Sequence, residues 1–309
     1  MEASITLRNV SKFFKKKYVL SNLTLGIEKD SFFAIIGRNG AGKSILLRVI
    51  STFMMPDAGE VFINGKDVAK SPALAKNCIG YLPDHDIFDC WITGWENLRA
   101  RAELLGIPPN RFQAVTEPLI SDFNLQEVLD ECPVTYSRGA KRCLDLVLVL
   151  LGDPQILILD EPTLGLDYRN RASLFKYLLS IKNRKTIIVA SNEFTEVQTL
   201  AERWIVLDYG KIRFDGTLEK MLTRVDVPFS GEIILRKKDE TLLGKIMESG
   251  NFSEVYDLDL TIRLTFEKLQ DFYDILTTIP DENLAGVTIQ SLSIAEFINR
   301  LLSDEELEQ

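Results

Sequence analysis

The sequence predicts an α/β protein in two parts: a three-layer domain with a partly parallel sheet, then a smaller α+β sandwich. Three observations predict this. Short apolar, strand-like runs alternate with helical segments through the first two thirds of the chain. One of the strand-to-helix junctions, residues 37–44, carries a glycine-rich phosphate-loop pattern. The charge balance also breaks near residue 217. Residues 1–217 hold 27 basic and 26 acidic side chains, whereas 218–309 hold 9 and 19, a step from +1 to −10.

Composition agrees with a globular chain of about two domains: 309 residues, 46% apolar and 26% charged. No stretch reaches the ~18 apolar residues that a membrane span needs. The longest candidate, 146–151, is bracketed by Asp145 and Asp153. The opening MEASITLRNV has neither a basic nor an apolar leader region, so a cytoplasmic chain without a secretory signal is expected. Cys78, Cys90, Cys132 and Cys143 are scattered, and the single histidine, His85, leaves no zinc-type spacing; reduced thiols are expected. Lysines 15–17 read as a solvated turn, and no basic stripe suits a duplex, so no nucleic-acid partner is expected.

In chain order, residues 5–14 and 19–27 read as strands around the lysine turn, and 31–36 as a short buried strand. Residues 44–53 place Leu46, Leu47, Ile50 and Phe53 at helical spacing, until Pro56, Asp57 and Gly59 break the pattern. A strand returns at 60–63, followed by the turn pair Asn64-Gly65. Thr93-x-x-Glu96 is a capping box before a helix with Leu98, Ala102 and Leu105 on one face, ended by Gly106 and Pro108-Pro109. Helix at 142–151, strand at 156–159, helix at 171–180 and strand at 186–190 complete the first part.

Beyond Gly216 the pattern changes, with a boundary placed near 217–230 by Asp226, Pro228 and Gly231. Strand at 232–236 and helix at 242–247 precede a single alternating strand over 257–266. Leu269, Phe272, Tyr273, Leu276 and Ile279 then mark a helix face, before a strand at 287–290 and a helix at 294–301. That order resembles a ferredoxin-like split βαβ sandwich.

Gly37-Arg38-Asn39-Gly40-Ala41-Gly42-Lys43-Ser44 fits G-x-x-x-x-G-K-[ST]. Its glycines let successive N–H groups turn toward phosphate oxygens at a helix N-terminus. Lys43 suits the β and γ phosphates, and the Ser44 hydroxyl suits Mg²⁺. The apolar strand 156–159 delivers Asp160 and Glu161 to its carboxyl end, where such sheets bind ligands. Adjacent strand residues point to opposite sides, which suits Asp160 to the Mg²⁺ shell and Glu161 to the attacking water. A GTPase would need N-K-x-D, and Asn64-Gly65-Lys66-Asp67 has those letters in the wrong order.

Tyr136-Ser137-Arg138-Gly139-Ala140-Lys141-Arg142 lies between these motifs and resembles the L-S-G-G-Q signature of ATP-binding cassette (ABC) proteins, 23 residues before Asp160. Leu164-Gly165-Leu166-Asp167 resembles the family's D-loop, Ile79-Gly80-Tyr81-Leu82-Pro83-Asp84 sits where its Q-loop belongs, and Phe14 sits where an aromatic stacks on adenine. The resemblance covers about residues 4–217. It implies a P-loop NTPase of ABC type, with a RecA-like core, an antiparallel β subdomain and a helical subdomain at about 84–140. Residues 1–217 would form the nucleotide-binding domain and 218–309 an acidic accessory domain. The appendage more weakly resembles the small domain of some ABC exporter subunits.

The resemblance further implies ATP with Mg²⁺ held by Ser44, Asp84 and Asp160. It implies a sandwich dimer in which Ser137, Arg138 and Gly139 face the γ-phosphate of a partner cassette. Departures are equally visible. Arg138 replaces the first signature glycine, Ala140 the glutamine, Asp84 the Q-loop glutamine and Leu164 the D-loop serine. The switch histidine falls on Asn192, which can neither carry positive charge nor relay a proton, so slow hydrolysis is expected.

The leading functional expectation is the ATPase subunit of an exporter whose transmembrane subunits are separate chains, peripheral at the inner face of the cell membrane. Trp91 and Trp95, within 81–106, are candidates for meeting those subunits, with core packing as the alternative for each. A soluble ABC clamp and a regulatory subunit that binds ATP with little hydrolysis are the competing readings. The dimer partner, a second copy or another ABC subunit, stays open.

Overall fold

A computed structural model describes residues 3–15, 17–192, 200–217, 220, 229–249, 251–266, 268–280 and 282–291. The expected helix at 294–301, and Asp226 and Pro228 of the expected boundary, lie outside these residues. The chain divides into two compact units, Met1–Thr217 and Leu218–Gln309.

The first unit opens with two long antiparallel strands, β1 (Ala3–Phe14) and β2 (Lys17–Glu28), joined at the lysine turn. With β4 (Ala58–Ile63) and β5 (Lys66–Asp67) they form a sheet of order β2-β1-β4-β5. The second sheet has order β10-β9-β3-β8-β7-β6. Its strands β3 (Phe32–Ile36), β6 (Ile79–Leu82), β7 (Ile156–Asp160), β8 (Thr186–Ser191) and β9 (Arg203–Asp208) run parallel, and β10 (Lys211–Gly216) closes one edge antiparallel. Every residue of β3, β7 and β8 is buried, as parallel strands covered on both faces require.

Helix α1 (Lys43–Ile50) lies in the layer between the two sheets. Its Leu46, Leu47, Val49 and Ile50 share one core with Ile5, Leu7 and Leu20 of the first sheet and Ile35, Ile158 and Ile205 of the second. The helix ends at Ile50, and Phe53, expected on its apolar face, is 73% exposed. Pro56 and the glycine turn pull the chain away before another buried turn can form.

After a short helix α2 (Pro72–Lys76) and β6 come α3 (Gly94–Leu104) and α4 (Pro109–Asp122). The capping box forms as the sequence predicts: the Thr93 hydroxyl accepts from Glu96 N at 3.2 Å, and a Glu96 carboxylate oxygen accepts from Thr93 N at 2.7 Å. Leu98 and Ala102 are buried, but Leu105 is the exposed C-cap residue. Pro108-Pro109 does more than end α3, because Pro109 opens α4 at the position where a missing N–H costs nothing. Helix α5 (Arg138–Leu150) begins four residues before its expected start, and residues 142–150 are buried without a break. Helix α6 (Tyr168–Ile181) follows β7. The four cysteines form no disulfide, and among the described residues no helix is long and apolar enough to cross a membrane.

The described part of the second unit runs β11 (Phe229–Leu235), α7 (Glu240–Ser249), β12 (Phe252–Leu258), β13 (Thr261–Phe266), α8 (Leu269–Leu276) and β14 (Leu284–Ser291). The sheet is antiparallel with order β12-β13-β11-β14, the strand order of a split βαβ sandwich. One expectation fails here. The alternation over 257–266 is not one strand but crosses a hairpin at Asp259 (φ 66°) and Leu260. Alternating side chains continue through a tight turn, so periodicity alone does not reveal the reversal. Ile262, Leu264 and Phe266 are buried as expected, whereas Leu258 and Leu260 are exposed. Phe266 stacks on Phe272 of α8 at 4.7 Å.

Candidate functional site

The carboxyl ends of β3, β7 and β8 converge beside the start of α1. The loop after β3 passes so close to β9 that a Cβ at Gly37 would lie 2.3 Å from the Leu207 carbonyl oxygen. Gly42 has φ 106°, and its missing Cβ makes room for the Val19 carbonyl oxygen. No side chain caps α1 and its first turn carries no acidic residue. Its leading N–H groups and the positive end of its dipole are therefore left for an anion.

Lys43 is almost fully buried, and its ammonium curls back into the loop. It donates to the Gly37 carbonyl oxygen at 2.8 Å and to Asn192 Oδ1, and lies 3.6 Å from Glu161 Oε1. Asn192, just past β8, also donates through Nδ2 to Asn39 Oδ1 at 2.8 Å and through its backbone N–H to Glu161 Oε2 at 3.3 Å. Four of the expected residues, Asn39, Lys43, Glu161 and Asn192, thus form one hydrogen-bonded group. Burial pulls the Lys43 ammonium below its ordinary value, against the raising influence of Glu161 and Asp160. Burial pushes the Glu161 carboxyl up, and the Lys43 charge opposes it.

The strand alternation expected to separate Asp160 from Glu161 is not what the structure has. Strand β7 ends at Asp160, and Glu161 adopts a left-handed φ of 45°. A turn, not strand alternation, separates the two carboxylates. Asp160 is wholly buried and neither of its carboxylate oxygens has a hydrogen bond of normal geometry. Burial raises its pKa, and the Ser44 hydroxyl is the leading influence in the opposite direction. A buried carboxylate with no well-formed hydrogen bond, and with the Ser44 hydroxyl as the leading influence keeping it charged, calls for a cation. Among the described residues no three His, Cys, Asp or Glu side chains cluster as a metal cage. Mg²⁺ fits such a place, since it uses one or two carboxylates and fills its remaining positions with water and phosphate oxygens.

Asp84 is turned toward other partners, His85 Nδ1 at 3.1 Å and Arg48 Nη2 at 3.5 Å. Its carboxyl lies below its ordinary value; partial burial works against this, and the His85 bond and Arg48 charge outweigh it. Phe14, at the end of β1, is 44% exposed, with the Lys12 ammonium 5.7 Å from its ring centre. The Ser137 hydroxyl caps α5, accepting from Ala140 N at 3.1 Å. Gly139 packs against the Gly165 turn, placing residues 137–139 beside the exposed Leu164. Trp91 is 78% exposed, whereas Trp95 is half-buried against Phe112. Sequence reasoning gave Arg142 no role, yet its buried guanidinium donates to three backbone carbonyls around the site.

Comparison with known proteins gives this arrangement a context. The family described as ABC transporter matches residues 20–164. The chain is similar to the daunorubicin resistance ATP-binding protein DrrA3 of Streptomyces coeruleorubidus, 32% identical over 71% of this chain and 70% of that protein. It is similar to the Nod factor export ATP-binding protein I of Rhizobium sp. (strain N33), 33% identical over 70% of this chain and 71% of that one. ABC transporter A family member 1 of Dictyostelium discoideum is 28% identical over 75% of this chain, which spans only 27% of that longer protein. Among solved structures, an ATP-binding subunit of an ABC transporter superposes with a TM-score of 0.67 at 26% identity, over 71% of this chain and 92% of the other. A dimeric ATP-binding cassette bound to ADP and Pi shares the fold, with a TM-score of 0.61 at 23% identity over 69% of this chain and 98% of that one.

Proposed function

Because the chain belongs to the ABC transporter family, we propose that it is the ATP-binding subunit of an exporter, driving separate transmembrane subunits from the inner face of the cell membrane. Members of the family bind and hydrolyse ATP. The observation that carries the reading is the buried Lys43 ammonium, ringed by Glu161 and Asn192 at the uncapped start of α1. It supports a triphosphate site with the hydrolytic carboxylate already at hand. The similarity to a Nod factor export ATP-binding protein and to a daunorubicin resistance ATP-binding protein, over about 70% of the length of each, supports the export direction.

In this reading the amides of residues 37–44 and the Lys43 ammonium hold the phosphates, and Phe14 stacks on the adenine. Ser44 and Asp160, with Asp84 once released from Arg48 and His85, would hold Mg²⁺, which screens the phosphate charge. Glu161, its pKa raised by burial, accepts a proton from the attacking water. Ser137, Arg138 and Gly139 complete the site of a partner cassette, so hydrolysis needs a dimer. The exposed Trp91 is offered to the cytoplasmic face of the transmembrane subunits; Trp95, packed on Phe112, is not. Purification of the tagged chain from membranes in mild detergent should recover a polytopic chain and raise ATPase activity over the isolated subunit. A chain that binds ATP but never enriches with membrane subunits would favour the soluble clamp instead.

The acidic unit is proposed as a separately folding accessory domain. A fragment of residues 1–217 should stay folded by circular dichroism and bind ATP within about threefold of the full chain, since its core clusters close within that unit. An aggregated or nucleotide-free fragment would show that the appendage completes the main core.

A further inference from the structure

Arg142 is 7% exposed, and its guanidinium is held by backbone carbonyls rather than by a carboxylate. Nη1 donates to the Pro83 carbonyl oxygen at 2.6 Å, and Nη2 to those of Asp160 at 2.5 Å and Glu161 at 3.0 Å. Burying a guanidinium is costly unless its donors are used; here both terminal nitrogens are, and Nε alone is buried without a partner. Burial pulls its pKa down, and Asp145, Asp160, Asp84 and Asp86 act in the opposite direction; an arginine stays charged in a protein regardless.

The choice of carbonyls matters. A carbonyl shares its rigid peptide plane with the next residue, so the bonds to Pro83 and Asp160 orient the planes that carry the amides of Asp84 and Glu161. The third bond fixes the far side of Glu161. That residue has φ 45°, a conformation that is unfavourable for a non-glycine residue and persists only when its surroundings enforce it. Its N–H is held by the Ala190 carbonyl oxygen at 2.9 Å and its C=O by Arg142. Asp145, one turn further along α5, grips the same outer segment by accepting from Ile87 N at 2.9 Å.

We propose that Arg142 is a positioning residue that locks the backbones of Asp84 and Glu161 into one frame, serving hydrolysis through them without touching nucleotide. The proposal rests on the roles given above to those two carboxylates. Arg142→Met keeps the reach and apolar stem but removes every donor, and Arg142→Lys restores the charge with a point donor that cannot span three carbonyls.

The test uses the full chain and two independent readouts. Hydrogen exchange without nucleotide should speed up in Arg142→Met at the amides of both 84–87 and 161–164, with little change elsewhere. Steady-state assays should show kcat lower by about fivefold while the Kd for fluorescent ATP stays within about twofold, with Arg142→Lys between the two. Exchange that rises in one segment alone, an unchanged kcat, or equal losses in kcat and ATP affinity would each overturn the proposal. If the wild type bound no ATP, the proposed function would fall, while the exchange measurement would still decide whether the brace exists.

Discussion

Glu161→Gln is expected to lower ATP hydrolysis by about 100-fold or more while leaving ATP binding within a few-fold, and to trap an ATP-bound dimer. The substitution is isosteric and keeps an oxygen for the Asn192 backbone N–H, so the turn at φ 45° should persist. It removes the basic carboxylate whose pKa burial has raised toward the range useful for accepting a proton. It also removes the negative partner 3.6 Å from Lys43, which leaves that ammonium more available to phosphate. A 100-fold loss corresponds to about 2.7 kcal/mol of transition-state stabilisation, ordinary for removing one directly acting group. Lys43→Ala is the contrasting variant, since it deletes the charge at the centre of the loop. Gel filtration with ATP and Mg²⁺, beside a nucleotide-binding assay, distinguishes them. If Glu161→Gln lost ATP binding as completely as Lys43→Ala, Glu161 would be a binding residue and not the hydrolytic base.

Much of this was legible because the relevant signals are local. The loop 37–44 and the β7 run each combine a motif with its own secondary-structure context, and both carry the residue types their geometry demands. The Thr93–Glu96 box is legible for the same reason. What stayed hidden depends on contacts between distant parts of the chain. The hairpin at Asp259 preserves the alternation on both sides, so only the partner register of β12 on β13 exposes it. Arg142 reads as a helix residue beside Lys141, and only the fold brings residues 83, 160 and 161 to its guanidinium. The two carboxylates of 160–161 were separable in sequence by strand alternation, but the separation comes from a left-handed turn that no propensity at a glutamate would suggest. Strand β9 is within reach of sequence reasoning, since the apolar run 204–207 lies between the charged Arg203 and Asp208.

Asn192→His is expected to raise kcat by roughly tenfold in whichever dimer is physiological, with little change in KM. If Asn192 stands at the switch-histidine position, as proposed, the hydrogen-bond pattern explains why it would serve hydrolysis poorly. Lys43 can only donate, so the Asn192 atom facing it must be Oδ1, which sends Nδ2 to Asn39. Without nucleotide, the carboxamide therefore presents an acceptor toward the place where phosphate oxygens, themselves acceptors, must sit. To donate to a γ-phosphate it has to turn over, and turning over breaks both bonds. An imidazole needs no such reversal. It extends about one bond further, donates from Nε2, and is drawn toward the cationic form by the anionic field of a triphosphate. That charge is worth most when negative charge shifts in the transition state, which is why the gain belongs to kcat. The exposed Leu164 and Arg138 offer the opposing outcome, in which dimer geometry limits the rate first. ATPase assays on the wild type and Asn192→His, each alone and with co-purified membrane subunits, separate the two. An unchanged kcat in both settings would move the limiting defect from Asn192 to the dimer interface.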